Sequence, residues 1–266
     1  MGGMPVNWMD NPAPAFINLH PLMRIWSSIR WRALALARVC GYQGNPRLFG
    51  VEVPLGLVPS KVILGQLDAG SYEAKEARYI RAYLPAGAQV LELGASLGIV
   101  SSIILGRRPA RLVSYEAVGS LADVARQVVA HNHPSAPWEL VHCAIADEGV
   151  SEVAFDWSPE YTQGGSVARA GGPARLRVPA ASLAAVIARH ALPDAAWLVM
   201  DIEGMEWELA RRQAAALRHF AGIIVECHEV KDGERQVPHE EVVAELAKAG
   251  FKIAARRGQV SVLRRS

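Results

Sequence analysis

At 266 residues, about half of them apolar, the chain can fill one large domain or a domain with an appendage, and it is too hydrophobic for general disorder. Its net charge is only +2, and the excess lies at the front, where residues 1–50 hold Arg24, Arg30, Arg32, Arg38 and Arg47 against the single acid Asp10. The rest is slightly acidic, which argues against nucleic acid as a partner.

Cys40, Cys143 and Cys227 are odd in number, lack C-x-x-C spacing and stand in apolar contexts. This predicts buried thiols in a reducing compartment and no zinc cluster. Arginines interrupt the only apolar stretch near a membrane-spanning length, and no secretory pattern opens the chain, so a cytoplasmic location is expected. Residues 1–20, with Pro5, Pro12 and Pro14 and with Pro21 just beyond, read as an extended arm. Leu22 to Val39 reads as an amphipathic helix with several arginines off its apolar face. That face suits packing on the chain's own domain, a homo-oligomer contact or a peripheral membrane contact.

Residues 48–68 suggest short strands, and Ser71 to Tyr83 a helix. Strands and helices then alternate. Strand Gln89–Leu93 leads to helix Ile99–Leu105, strand Arg111–Tyr115 to helix Leu121–His131 with Ser120 and Asp123 as capping groups, and strand Glu139–Cys143 follows. Between 151 and 178 the pattern shifts to short segments around paired glycines, an inserted hairpin region in which Trp157 and Tyr161 offer flat stacking faces. Alternation resumes with helix Ala181–His190, strand Trp197–Ile202, helix Glu206–Leu217, strand Gly222–Cys227 and helix Glu240–Ala249. A hairpin over Phe251–Ala255 and Gln259–Leu263 closes the chain. Such alternation predicts an α/β fold with a mostly parallel sheet covered on both faces. The expected boundaries are an arm and basic helix over 1–47 and a domain over 48–266.

Ligands of open parallel sheets bind beyond the carboxyl ends of the strands. Val90 to Val100 reads as an apolar strand, a turn with Gly94 and Gly98, and a helix start whose free N–H groups face the same space. Glu116 ends the next strand, near the spacing at which a carboxylate holds ribose hydroxyls. A dinucleotide site prefers G-x-G-x-x-G, whereas this turn is Gly94-x-x-x-Gly98. Glu92 before it suits a ligand with an ammonium group, which favours S-adenosylmethionine. Asp201 and Glu203 follow the fourth core strand, and Glu226 and His228 the fifth.

Gly70-Ser-Tyr-Glu73, Val90 to Gly98, Val113-Ser-Tyr-Glu116, Asn132, Ala144 to Asp147 and Met200-Asp-Ile-Glu-Gly-Met-Glu206 together resemble the FkbM-type family of S-adenosylmethionine-dependent methyltransferases over about residues 65–255. The resemblance implies a class I methyltransferase fold, Rossmann-like, with a seven-stranded sheet and terminal antiparallel hairpin. It implies O-methylation of a hydroxyl on a sugar or secondary metabolite. The family's D-x-G-A-N-x-G is here Glu92-Leu-Gly-Ala-Ser96-Leu-Gly98, and Val199 stands where a lysine is frequent.

The expected donor-binding residues are Tyr72, Glu73, Glu92, Gly94, Ser96, Gly98, Glu116, Ala144 and Asp147. Asp201 and Glu203 are the candidates for acceptor-side chemistry, with His228 as a further base. A divalent metal on Asp201, Glu203, Glu226 or His228 suits these ligand types, though spacing alone does not support one. Glu203 and Glu206 also suit a helix N-terminus. Two rival readings remain. Gly94-Ala-Ser96-Leu-Gly98 satisfies G-x-S-x-G, the nucleophile elbow of α/β-hydrolases, with Asp201 and His228 or His239 in the required order. A non-catalytic donor-binding module would keep the glycines and Glu116 and have no need of Asp201.

Overall fold

The computed structural model describes residues 33–156, 166–167 and 175–266. They belong to two compact units, Met1–Tyr42 and Gln43–Ser266. In the first, 33–39 form helix α1, and Arg38 donates to the Tyr42 carbonyl at 3.2 Å while lying over its ring. Cys40, expected to be buried, is exposed just past the last turn of α1, whereas Cys143 and Cys227 are buried. The arm over 1–20, the front of the Leu22–Val39 helix, Trp157 and Tyr161 lie outside the described residues.

The second unit opens with a small hairpin, β1 (Arg47–Leu48) and β2 (Val51–Glu52). Asn132 holds it to the body: its amide oxygen accepts from the Glu52 N–H at 2.9 Å and its NH2 donates to the Glu52 carbonyl at 2.8 Å. Lys61–Ala69 is helix α2, not a strand. The short apolar run there is half of a helical stripe. Ile63 and Leu67, four apart, are its buried residues, Ser60 caps the Ile63 N–H, and Gly70 closes the helix at φ 70°. Helix α3 (Ala74–Tyr83) follows.

The main sheet has seven strands: β3 (Gln89–Leu93), β4 (Arg111–Glu116), β5 (Trp138–His142), β10 (Trp197–Met200), β11 (Gly222–Glu226), β14 (Phe251–Arg257) and β15 (Val260–Arg265). Their spatial order is β14-β15-β11-β10-β3-β4-β5. Pairings among β11, β10, β3, β4 and β5 are parallel, and β15 runs antiparallel between β11 and β14. This is the seven-stranded, mostly parallel sheet with a terminal antiparallel hairpin expected from the sequence.

Strand alternation sends neighbouring residues to two separate cores. Val90, Leu112, Val199 and Ile224 pack with α3, α4 (Ile99–Leu105) and α5 (Gly119–Asn132). Leu91, Leu93, Val113, Tyr115, Leu198, Met200, Ile223 and Val225 pack with α6 (Leu183–His190), α7 (Met205–Arg212) and α9 (His239–Lys248).

Between β5 and α6, strands β6 (Ala144–Ile145), β7 (Glu152–Asp156), β8 (Ser166–Val167) and β9 (Arg175–Ala181) form a second sheet in the order β6-β9-β7-β8. A hairpin not expected from the sequence, β12 (Val230–Asp232) with β13 (Arg235–Val237), follows β11. Helix α5 begins at Gly119 without a side-chain cap, so Ser120 and Asp123 lie inside it. The helix expected over Glu206–Leu217 is two, α7 and α8 (Ala214–Leu217), divided at Gln213. The buried Gln213 amide accepts from Leu183 N–H and donates to the Ala146 carbonyl, both at 2.8 Å, tying this break to the neighbouring layer. Among the described residues no helix is long and apolar enough to cross a membrane.

Candidate active site

Chain direction across the sheet reverses between β3 and β10: from β3 the chain goes outward through β4 to β5, and it returns to β10 on the other side. Such a switch point opens a crevice at the strands' carboxyl ends. A cavity of about 410 Å³ lies there, bordered by Gly94 and Ser96 after β3, Glu116 on β4, Asp201 and Glu203 after β10, and Glu226 and His228 at and after β11.

The glycine turn and the Asp201 loop interlock. Asp201 N–H donates to the Leu93 carbonyl at 3.0 Å, and a Cβ on Gly94, at φ 90°, would stand 1.9 Å from the Asp201 carbonyl oxygen. No side chain fits at that approach. Ser96 adopts φ 46°. Its N–H donates to one oxygen of Glu116 at 2.7 Å, and Val118 N–H donates to the other at 2.8 Å. Glu116 is thereby clamped by backbone at the cavity edge, and burial raises its pKa against these donors.

Across the cavity, Glu206 organises the turn after β10. It is fully buried. It accepts from Ile202 N–H at 2.9 Å and Gly204 N–H at 2.8 Å, and its Oε1 lies 3.4 Å from His228 Nδ1. The two N–H bonds fold the motif back on itself, with Glu203 at φ 54° and Gly204 at φ 104°. Glu206 thus anchors the loop by direct bonds rather than only favouring a helix dipole. His228 Nε2 faces Asp201 at 3.7 Å and Glu203 at 3.5 Å.

Burial raises the pKa of Asp201 well above the usual carboxylate range, and that of Glu203 upward, with His228 opposing both. Burial opposes charge on His228 too, but Glu206, Asp201 and Glu203 outweigh it and hold the imidazole pKa at about 10. His228, expected as a further base, thus stands beside both candidate carboxylates, and its charge is coupled to theirs. Tyr72 and Glu73, also on the cavity wall, close the near side. Glu73 has φ 44°, and burial pushes its pKa up to about 8.

Of the expected donor residues, Tyr72, Glu73, Gly94, Ser96, Glu116 and Ala144 border the cavity. Glu92, Gly98 and Asp147 do not. Glu92 shares the Val90 face of β3, so its side chain enters the α4–α5 layer, where Ser101 donates to it at 2.6 Å and Ser114 donates as well. It is 1% exposed, and burial pushes its pKa up to about 7. Gly98 serves helix packing, since a Cβ there would lie 2.8 Å from Ala125 Cα. Asp147 is drawn outward to Arg212 at 2.7 Å. Glu76, Lys75 and Gln259 were not expected and border the cavity. Glu76 carried a signal: with Ile80 and Tyr83 it falls at i, i+4 and i+7, a carboxylate on a buried stripe. Its pKa rises to about 10 through burial and neighbouring Glu226. As for the nucleophile elbow, Ser96 Oγ meets the Tyr72 hydroxyl at 3.4 Å rather than a histidine.

No curated protein matches the chain. Solved structures similar to it include a ribosomal protein L11 methylase from Lactobacillus delbrueckii subsp. bulgaricus (12% identity, 74% of this chain and 80% of that one, TM-score 0.41). Magnesium protoporphyrin IX methyltransferase from Synechocystis PCC 6803 with bound SAM is similar at 13% identity, 72% and 77% coverage and TM-score 0.42. The N-terminal domain of EvdMO1 with SAH bound is similar at 17% identity, 72% and 81% coverage and TM-score 0.41. The model of the methyltransferase FkbM domain matches residues 106–253, a stretch that begins after the glycine turn and takes in Glu116, Asp201 to Glu206 and His228. With more than half of its 266 residues in that match, the chain belongs to the FkbM methyltransferase family.

Proposed function

We propose that this methyltransferase carries the methyl group of S-adenosylmethionine to a hydroxyl oxygen of a sugar or another hydroxylated metabolite. The observation that carries the reading is the meeting, in one cavity at the switch point, of a backbone-clamped half (Gly94, Ser96, Glu116) and a carboxylate half (Asp201, Glu203). In this reading Glu116 takes the donor ribose, Ser96 lines its methionine part, and Tyr72 and Glu73 cover it. Asp201, with its raised pKa, accepts the hydroxyl proton as the oxygen bonds to the methyl carbon. The carbon–sulfur bond breaks, and its electron pair stays on sulfur as the thioether forms. Proximity is the other half of the rate, because the two reactants are held across one small cavity.

Labelled-methyl transfer to a panel of hydroxylated acceptors tests this. Label on oxygen with the native chain and none with Asp201→Ala supports the reading, whereas label on nitrogen or carbon alone removes it. Free thiols at Cys40, Cys143 and Cys227 support a cytoplasmic setting. We read the stretch 22–39 as a face for a homo-oligomer or peripheral membrane contact.

A further inference from the structure

We propose that Asp201, Glu203 and the Nε2 atom of His228 form a site for one divalent cation of the Mg²⁺/Mn²⁺ class. One ligand atom from each of the three lies within 4.8 Å of the others. Donors bound to one ion at about 2.1 Å stand roughly 3.0 to 3.7 Å apart. The His228 ring nitrogen meets that spacing, at 3.7 Å from Asp201 Oδ1 and 3.5 Å from Glu203 Oε2, both beyond good hydrogen-bond length.

The other ring nitrogen is oriented from behind. Nδ1 faces the fully buried Glu206, and Glu206 is fixed by two backbone N–H groups. A carboxylate behind an imidazole sets the tautomer and aims Nε2 at a metal.

A separate observation points to a cationic ligand in the same cavity. Glu76, 5% exposed and part of the cavity wall, has Oε1 buried without a hydrogen-bond partner, and Asp201 Oδ1 is likewise buried and unpartnered. Glu73, Glu76, Asp201, Glu203 and Glu226 border the cavity, with Lys75 and His228 as the basic residues among those lining it. Unpartnered buried oxygens are costly unless a ligand satisfies them. Two carboxylates and one imidazole suit a hard to borderline dication. The use of the site rests on the O-methylation reading: a bound cation would coordinate the acceptor oxygen beside the donor methyl and lower the pKa of the hydroxyl.

The test is Mn²⁺ alone, titrated into the chelator-stripped full chain and followed by electron paramagnetic resonance, without donor or acceptor. One ion per chain is expected. Asp201→Asn and Glu203→Gln should each weaken binding more than 10-fold, and Glu206→Gln by about 10- to 100-fold. Glu148→Gln, in an exposed turn, should leave binding unchanged, and circular dichroism establishes that each variant is folded. A folded native chain that binds no Mn²⁺, or binds it equally well as Asp201→Asn, overturns the site. Mn²⁺ binding without methyl transfer to oxygen would leave the site standing and remove the O-methylation reading. Full oxygen methylation by a stripped chain that binds no Mn²⁺ would do the reverse.

Discussion

The two halves of the cavity differ in how far the protein has satisfied its own polar groups. Beneath the glycine turn, both oxygens of Glu116 accept backbone N–H bonds of 2.7 and 2.8 Å, so that half is complete before anything binds. After β10 and β11, the contacts among Asp201, Glu203 and His228 run from 3.5 to 3.7 Å, and Asp201 Oδ1 has no hydrogen-bond partner. A satisfied half fixes position, while a half with unpaired charge reserves its interaction energy for a ligand or a transition state. In the proposed reading, methyl transfer divides between these halves into holding and chemistry.

The contrast can be broken at the point where the halves touch. Gly94→Ala would drive a methyl group into the Asp201 carbonyl, and we expect it to cost more than about 4 kcal/mol of stability, read by denaturant unfolding. A loss below 1 kcal/mol would mean that the two loops do not interlock. Next in size is Asp201→Ala, which should lower methyl transfer by about 10²- to 10⁴-fold while calorimetric donor affinity changes little. Loss of donor binding in that variant would erase the division between holding and chemistry.

Glu92 separates fold from site by its pH dependence. Its pKa is about 7 in the native state against 4.5 for an unperturbed glutamate. Below about pH 4.5 the group is neutral in both states. From there to pH 7 the unfolded chain gives up a proton that the native chain keeps, so stability falls as pH rises and levels off above 7. Glu92→Gln, which can keep the Ser101 and Ser114 contacts, should therefore gain on the native chain between pH 4 and 8 by something on the order of 3 kcal/mol. A stability difference independent of pH would refute this account of the burial. The smallest effect expected is for Glu116→Ala, where loss of a charged hydrogen-bond partner should weaken donor binding by roughly 1 to 3 kcal/mol. Unchanged donor affinity would remove Glu116 from the holding half.

Much of this was legible from the chain. Period-2 and period-3.6 patterning placed β3, β4, β10, β11 and the terminal hairpin within a residue or two at most ends, because a two-sided core requires continuous apolar strands. The glycine turn and Asp201-x-Glu203-Gly204 were visible because ligands of open parallel sheets bind beyond the strands' carboxyl ends, where both lie. Lys61–Ala69 was misread because three adjacent apolar residues cannot distinguish a strand from a helix until Ile63 and Leu67 are seen on one stripe. Glu92 was misassigned by a rule the sequence itself contained, since it shares the Val90 face and so points into a helical layer.

By itself the sequence determined the order of elements, the strand ends at which chemistry collects and the family to which those ends belong, since these are local patterns set by neighbours along the chain. Only the tertiary structure decided which carboxylates converge. Glu76 on α3, Asp201 after β10 and Glu226 on β11 meet through sheet order and helix docking, while Asp147 leaves the site for an arginine 65 residues away. Convergence depends on distance in space, and the charges that raise or lower each pKa act across that distance, where chain spacing carries no information.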